Sequence, residues 1–236
     1  MKIAVSWSTG KDSAWMLHRL NRRHPGAVAA LLSTTNEAFD RVAMHAVPRA
    51  VLEAQAEAAG LPVRIVPLPW PCSNEEYDRR MRLAVDALVA DGFTHVAFGD
   101  LFLADVRAYR ESRLAGTGLA PLFPLWKGQP TAALAREMVA AGLRAVVTCV
   151  DPRRLAPAFA GRVFDAQLLD DLPPDVDPCG EHGEFHTCVY AGPMFRAPLP
   201  ITVGDTVERD GFVFADVSLA HRLPDGRDHR DALPPR

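Results

Sequence analysis

A chain of 236 residues, 48% hydrophobic and 23% charged, has the composition of an ordinary globular protein, long enough for one large domain or two modest ones. A formal net charge of -3 argues against a general polyanion binder, so nucleic acid is not an expected partner, and the four cysteines (Cys72, Cys149, Cys179, Cys188) form no C-x-x-C pair of the kind that marks zinc ribbons or thioredoxin-like sites. No apolar run approaches membrane-spanning length and no leader precedes Met1-Lys2-Ile3, so the expectation is a cytoplasmic protein with no membrane partner.

The first two-thirds of the chain alternates short apolar runs with amphipathic segments. Residues 3–5 read as a buried strand and 12–20 as a helix; 27–32 is a second strand, and 47–59 a helix stopped by Gly60. Residues 63–66 form a third strand, 75–90 a helix closed by Gly92, and 95–98 a fourth strand that runs into Gly99-Asp100. Strands alternating with helices predict an α/β fold with a parallel, doubly wound sheet, whose ligands sit at the carboxyl ends of the strands. After Thr117 the character changes. Pro121, Pro124 and Pro130 punctuate a connector, then a helix is expected at 131–141 and strands at 145–150, 188–191 and 212–219. The expected division is a first domain over 1–125, a smaller α+β domain over 126–223 that binds substrate, and a mobile tail over 224–236.

The most informative stretch is Ser6-Trp7-Ser8-Thr9-Gly10-Lys11-Asp12-Ser13, at the first strand–helix junction. Small residues let backbone N–H groups come close to a ligand, and the helix aims unpaired N–H groups and its positive dipole end at the same place. Lys11 adds a full positive charge and the serines add hydroxyl donors, which makes an anion cradle suited to a pyrophosphate. It is neither a Walker A loop nor G-x-G-x-x-G, because Gly10 stands alone and Asp12 separates Lys11 from Ser13. The simpler reading is a small-residue turn with Asp12 as an N-cap.

Ser8-Thr9-Gly10-Lys11-Asp12-Ser13 resembles the SGGKDS signature of the PP-loop ATP pyrophosphatases. Thr9 stands where that signature usually has glycine, which matters because a β-branched residue tolerates positive φ poorly. Three further stretches resemble one branch, the diphthine–ammonia ligase family. These are Met44-His45 with Gln55-Ala56-Glu57-Ala58 and Gly60-Leu61-Pro62; Gly99-Asp100 with Arg107, Glu111 and Leu125-Trp126; and Gly180-Glu181-His182-Gly183-Glu184-Phe185-His186-Thr187 with Pro193 and Phe195. The resemblance implies a Rossmann-like HUP domain, ATP and Mg²⁺ as cofactors, and amidation of a carboxylate through an acyl-adenylate with release of AMP and pyrophosphate. It implies a small-molecule or protein carboxylate as acceptor and ammonium as the nitrogen donor.

On that basis Ser8, Thr9, Gly10, Lys11, Asp12 and Ser13 are expected at the nucleotide's phosphates, with Asp12 orienting the loop or meeting Mg²⁺. Ser33 and Thr34 are expected to border adenosine, and Asp100 to bind magnesium or substrate. Lys11, Asp12, Glu181, Glu184 and His186 are the expected catalytic groups. No zinc or other protein-held metal is expected from Cys179, His182, His186 and Cys188, whose spacing is unlike zinc patterns. Simpler readings stand beside these. Asp100 could cap a helix, Glu181 and Glu184 could form a solvated turn, Arg107 and Glu111 could pair on a helix surface, Trp126 could line the core, and His45 could be an ordinary half-buried histidine. Two other functions fit part of the pattern: a PP-loop enzyme that modifies RNA, and a sensor that holds ATP without turnover. The sequence leaves the oligomeric state open, a homodimer included.

Overall fold

A computed structural model describes residues 1–43 and 46–220 of the chain. Met44, His45 and the expected tail at 224–236 lie outside the described residues. In chain order the main elements are β1 (Ile3–Ser6), α1 (Lys11–Arg23), β2 (Val28–Asn36), β3 (Arg41–Val42), α2 (Arg49–Ala59), β4 (Val63–Leu68), α3 (Asn74–Ala90), β5 (His95–Ala97), α4 (Ala104–Leu114), β6 (Ala120–Leu122), α5 (Thr131–Ala140), β7 (Arg144–Val150), α6 (Ala166–Asp171), β8 (Phe185–Ala191), β9 (Ile201–Arg209) and β10 (Phe212–Leu219).

The parallel strands lie in the order β4-β2-β1-β5-β6, with the short β3 pairing antiparallel to the end of β2. From β1 the chain winds outward first through β2 to β4 and then back through β5 to β6. The order therefore reverses between β1 and β5, which opens a crevice at their carboxyl ends. This is the Rossmann-like, doubly wound sheet that the alternation of strands and helices predicts. Ile3, Ala4 and Val5 have no exposed surface, as expected for a strand covered on both faces.

Helix α1 begins at Lys11 with Gly10 as its N-cap and no side-chain capping bond, so Asp12 sits inside the first turn and is not the cap. It buries Ala14, Trp15, Met16, Leu17 and Leu20, each contributing up to about 2 kcal/mol for the larger side chains. Helix α2 ends at Gly60, whose left-handed backbone (φ 69°) completes the expected stop. Helix α3 begins at Ser73, which accepts a 3.2 Å hydrogen bond from the Glu76 N–H.

The second sheet is antiparallel, in the order β8-β7-β10-β9. Strand β7 is buried over nearly its whole length, consistent with its central position and the run Ala-Val-Val-Thr-Cys-Val. Strand β9 is not among the sequence-based expectations. It is almost wholly exposed, so no apolar alternation marks it, but Asp210-Gly211 before Phe212 is a two-residue turn with φ of 53° and 78°, the positive pair that joins hairpin strands. One cluster of buried side chains runs from Ile3, Trp7 and Leu17 through Leu125 and Leu134 to Val146, Phe185 and Val217. The core thus continues across the expected boundary at 125/126 and clamps the second sheet against α1 and α2.

Candidate active site

The loop between β1 and α1 is held from behind. The buried Trp7 indole N–H donates to Gln55 Oε1 at 2.8 Å. The other end of that amide donates to the carbonyls of Thr9 (3.1 Å) and Val189 (2.6 Å). An indole N–H can only donate, so the amide orientation follows from its three partners. The Val189 N–H donates to the Thr9 carbonyl at 3.0 Å, and the Lys11 N–H donates to Thr187 Oγ1 at 3.1 Å. Strand β8 and helix α2 therefore grip the loop from two sides.

That grip explains Thr9. Its φ is 69°, in the left-handed region that costs an L-residue about 1–2 kcal/mol. The doubly bonded carbonyl and a hydroxyl that donates to the Ser8 carbonyl hold it there. The loop adopts the glycine-like conformation without the glycine.

In front of the loop lies a cavity of about 310 Å³, at the crevice between the ends of β1 and β5. Ser8, Lys11, Asp12 and Ser13 form one wall. Gly99, Asp100 and Arg110 form the second, and Glu181 and His186 the third. Gly99 fits because a Cβ there would lie 3.2 Å from the Asp12 carbonyl carbon and 3.2 Å from the Ser13 nitrogen. The β5–α4 connection thus rests directly on the first turn of α1.

The electrostatics are acidic carboxylates around two cations, Lys11 and Arg110. The buried Lys11 ammonium donates to Asp12 Oδ2 at 2.8 Å and to the Cys179 carbonyl, joining the phosphate loop to the 177–184 loop. Burial, the largest single influence, works against its charge, but the Asp12 carboxylate together with Cys179 and Glu181 outweighs it and holds Lys11 above the ordinary range. Burial raises Asp12, with Lys11 acting against the shift, and raises Asp100, with Arg110 acting against it. Glu181 is pushed up to about 7 by burial, although Oε1 accepts a 2.8 Å hydrogen bond from the Leu101 N–H. The Asp12 carboxylate raises both Asp100 and Glu181, so the three groups converge. His186 is pushed down to about 4 by burial and by Lys11, so its imidazole is neutral at physiological pH.

Asp12 Oδ1 and Asp100 Oδ2 are buried and have no hydrogen-bond partner. Two such oxygens beside an anion cradle suit a hard divalent cation, Mg²⁺ above all, which takes one or two carboxylates and completes its shell with phosphate oxygens and water. Among the described residues no cluster of three or more His, Cys, Asp or Glu forms a metal site.

Of the expected site residues, Ser8, Lys11, Asp12, Ser13, Asp100, Glu181 and His186 line the one cavity, while Thr9 and Gly10 shape it from behind. Glu184 does not line it. That carboxylate is 2% exposed and accepts from the N–H groups of Asp177 (3.2 Å) and His182 (3.0 Å), bracing the loop that presents Glu181. Ser33 and Thr34 stand apart from the cavity as well. They lie within β2, whose pairing with β4 carries on to Asn36, and not past its end. Arg107 and Glu111 pair with each other at 2.8 Å on the outer face of α4, while Arg110, one turn-position away, faces the cavity. Gln55 and Thr187 carry the loop's support without having been singled out for it; the available signal for Gln55 was a polar residue on the apolar face made by Val51, Leu52 and Ala56.

No helix among the described residues is long and apolar enough to cross a membrane. No curated protein matches the chain. The N-terminal domain model of diphthamide synthase matches residues 1–119, and its C-terminal domain model matches residues 130–217. The phosphate loop and the 177–187 loop, which meet at Lys11, come one from each of these matched regions, and the chain belongs to the diphthamide synthase family, the diphthine–ammonia ligase branch of the PP-loop type.

Proposed function

We propose that the protein is an ATP-dependent carboxylate–ammonia ligase that cleaves ATP to AMP and pyrophosphate. The observation that carries this reading is the meeting, in one cavity, of an anion cradle, two carboxylate oxygens without partners and a carboxyl group with a pKa of about 7.

Ser8, Ser13 and the N–H groups of α1 that follow that of Lys11 bind the leaving pyrophosphate, with the Lys11 ammonium balancing its charge. Donors preorganised at such a developing charge are each worth about 3 kcal/mol. Asp12 and Asp100 would hold Mg²⁺, which would neutralise phosphate charge and so ease departure of pyrophosphate. The acceptor's carboxylate oxygen attacks the α-phosphorus, the bond from that phosphorus to the β-bridging oxygen breaks, and an acyl-adenylate forms. Ammonia then attacks the acyl carbon and AMP leaves. Ammonium must lose a proton before it is a nucleophile, and the attacking nitrogen loses another on the way to the amide. The first proton goes to solvent water before ammonia enters, and Glu181, poised near neutrality at the third wall, accepts the second. Neutral His186 orients the incoming nitrogen, and Glu184 holds Glu181 in place through the loop.

Ser33 and Thr34 border the adenosine in this reading, with the buried Ser33 hydroxyl, which lacks a partner, available to the ribose or base. The alternative of a PP-loop enzyme that thiolates RNA needs a reactive thiolate. Burial raises the Cys149, Cys179 and Cys188 thiols far above neutrality, which opposes it.

The test is phosphorus NMR of the protein with ATP, Mg²⁺, ammonium and a small-molecule extract of its own cells. AMP and pyrophosphate are expected, and both are lost in Lys11→Ala. ADP and phosphate in their place sink the reading, and tight ATP binding without turnover favours the sensor.

A further inference from the structure

A second cavity, of about 230 Å³, lies between α3 and α4 and has no part in the steps above. It abuts the first, because Phe98 and Arg110 line both. Its floor is apolar: Val85, Leu114 and the Phe98 ring are buried, with Met81 beside them. The two helices bury little against each other and the sheet, only Val85 and Leu88 from α3 and Leu114 from α4, which leaves the cleft between them open. One side of the mouth is closed by the 2.9 Å ion pair of Arg113 with Asp78, and Tyr109 stands exposed at the rim.

Arg110 forms the partition. Its guanidinium lies over the Phe98 ring at 5.1 Å, and its Nε is 3.8 Å from Asp100 Oδ2, beyond hydrogen-bond reach. That Nε is buried and has no hydrogen-bond partner. The Arg110 side chain as a whole is 32% exposed, so its guanidinium is open to a ligand, and an anionic oxygen placed between the two cavities gives it a charge-assisted acceptor. The cleft is also smaller than the roughly 300 Å³ at which cofactor-sized pockets begin, which favours a short acid over a nucleotide base.

We infer that the α3–α4 cleft is the acceptor site, and that the acceptor is a small free monocarboxylic acid whose carboxylate meets Arg110 and whose apolar chain or ring lies on Met81, Val85 and Phe98. This rests on the ligase reading for the word acceptor, but the cleft's taste for an apolar carboxylate stands on the cavity itself. The arrangement places the carboxylate at the boundary with the phosphate cavity, where adenylation requires it, and keeps the apolar body out of the charged site.

The test is calorimetry of the full chain with hexanoate and 3-phenylpropanoate, with hexanamide as the neutral control and ATP-Mg²⁺ titrated separately. The acids are expected to bind and hexanamide to bind roughly tenfold more weakly, the difference expected for losing a charge-assisted bond. Val85→Trp fills the cleft and is expected to abolish binding of both acids while ATP affinity stays within about twofold. Met81→Phe narrows the same cleft and serves if the tryptophan variant does not fold. Arg110→Gln weakens the acids roughly tenfold and leaves hexanamide unchanged. Failure of both acids to bind, equal binding to the filled cleft, or a loss of ATP affinity in Val85→Trp overturns the inference; the last result gives the cleft to the nucleotide. Acids bound in the cleft without AMP formation in their presence with ATP and ammonium keep it as a carboxylate site and overturn the ligase reading alone.

Discussion

The side-chain amide of Gln55 donates to the carbonyl oxygen of Thr9 at 3.1 Å, so a residue in the middle of α2 sets the backbone of the phosphate loop. Gln55 is fully buried, and the same amide also accepts a hydrogen bond from the Trp7 indole N–H and donates to the Val189 carbonyl. It therefore connects β1, α2 and β8 at the point where the loop turns through its left-handed residue.

Gln55→Leu keeps the volume and removes all three bonds. The Trp7 N–H and the Val189 carbonyl are then buried without these partners, and a loss of about 3 kcal/mol is expected. Denaturant unfolding measures this, and the KM for ATP is expected to rise as the loop loosens. A variant as stable as the native protein contradicts the role given to Gln55.

Gly99→Ala pushes a methyl group against the backbone of Asp12 and Ser13, both 3.2 Å from the Cβ position. The protein is expected to fold, with a drop in turnover of about tenfold or more from displacement of the loop. A crystal structure of the variant checks whether α1 moves away from the β5–α4 connection. Unchanged turnover contradicts the close fit.

Glu181→Gln keeps the acceptor oxygen for Leu101 but cannot take a proton. Native turnover is expected to rise as pH increases through about 7, where Glu181 ionises, and the variant to lose about a hundredfold or more with that pH dependence gone. Stability runs the other way. The folded pKa of about 7 lies above the ordinary value of 4.5, so this carboxyl's stabilising contribution is full below pH 4.5 and is lost as pH rises through 7. Relative to Glu181→Gln, the native protein is expected to lose about 2 kcal/mol between pH 5 and pH 8. Thermal melts of both proteins at the two pH values test this, and a gap independent of pH contradicts it.

Asp100→Asn removes one of the two cavity-lining carboxylates that have a buried oxygen without a hydrogen-bond partner. The Mg²⁺ concentration for half-maximal turnover is expected to rise about tenfold or more, because a neutral amide oxygen binds a hard cation more weakly. Saturating Mg²⁺ should recover much of the rate. No change in Mg²⁺ dependence removes Asp100 from the metal shell.

Glu184→Gln leaves one of the two backbone donors, Asp177 or His182, facing an NH₂ group in a buried place. A cost of about 2 kcal/mol is expected, with lower turnover and preserved ATP affinity. The contrast with Glu181→Gln is decisive: a brace lowers the melting temperature at every pH, whereas a base alters the pH profile. An unaltered melting temperature contradicts the bracing role.

Much of the fold was legible locally. The alternation of apolar runs with helical stretches marked the doubly wound sheet, Gly60 marked the end of α2, and Ser8 to Ser13 marked the loop between β1 and α1. Such signals are written within about a dozen residues, because helix periodicity, glycine stops and a helix N-terminus are all local matters. Strand β9 escaped because its exposed face carries no alternation, and the second strand was expected to end at 32, short of its actual end at Asn36, because the extent of β2 depends on its partner β4.

The division of labour within the site was not legible in the same way. Glu181 and Glu184 stand three residues apart in one glycine-rich loop, and nothing local says that one faces the cavity while the other is sealed behind it. Their difference comes from Leu101, 80 residues away, and from the folding of the loop back on Asp177. Likewise the Lys11 N–H meets the hydroxyl of Thr187, 176 residues on, and Arg110 rather than Arg107 turns inward. The sequence by itself determined that a small-residue loop carrying Lys11 follows the first strand of a Rossmann-like sheet. Only the packing of β8 and α2 against that cradle decided which carboxylates are exposed to the cavity, because burial and hydrogen bonding between distant segments set both the direction and the charge of each side chain.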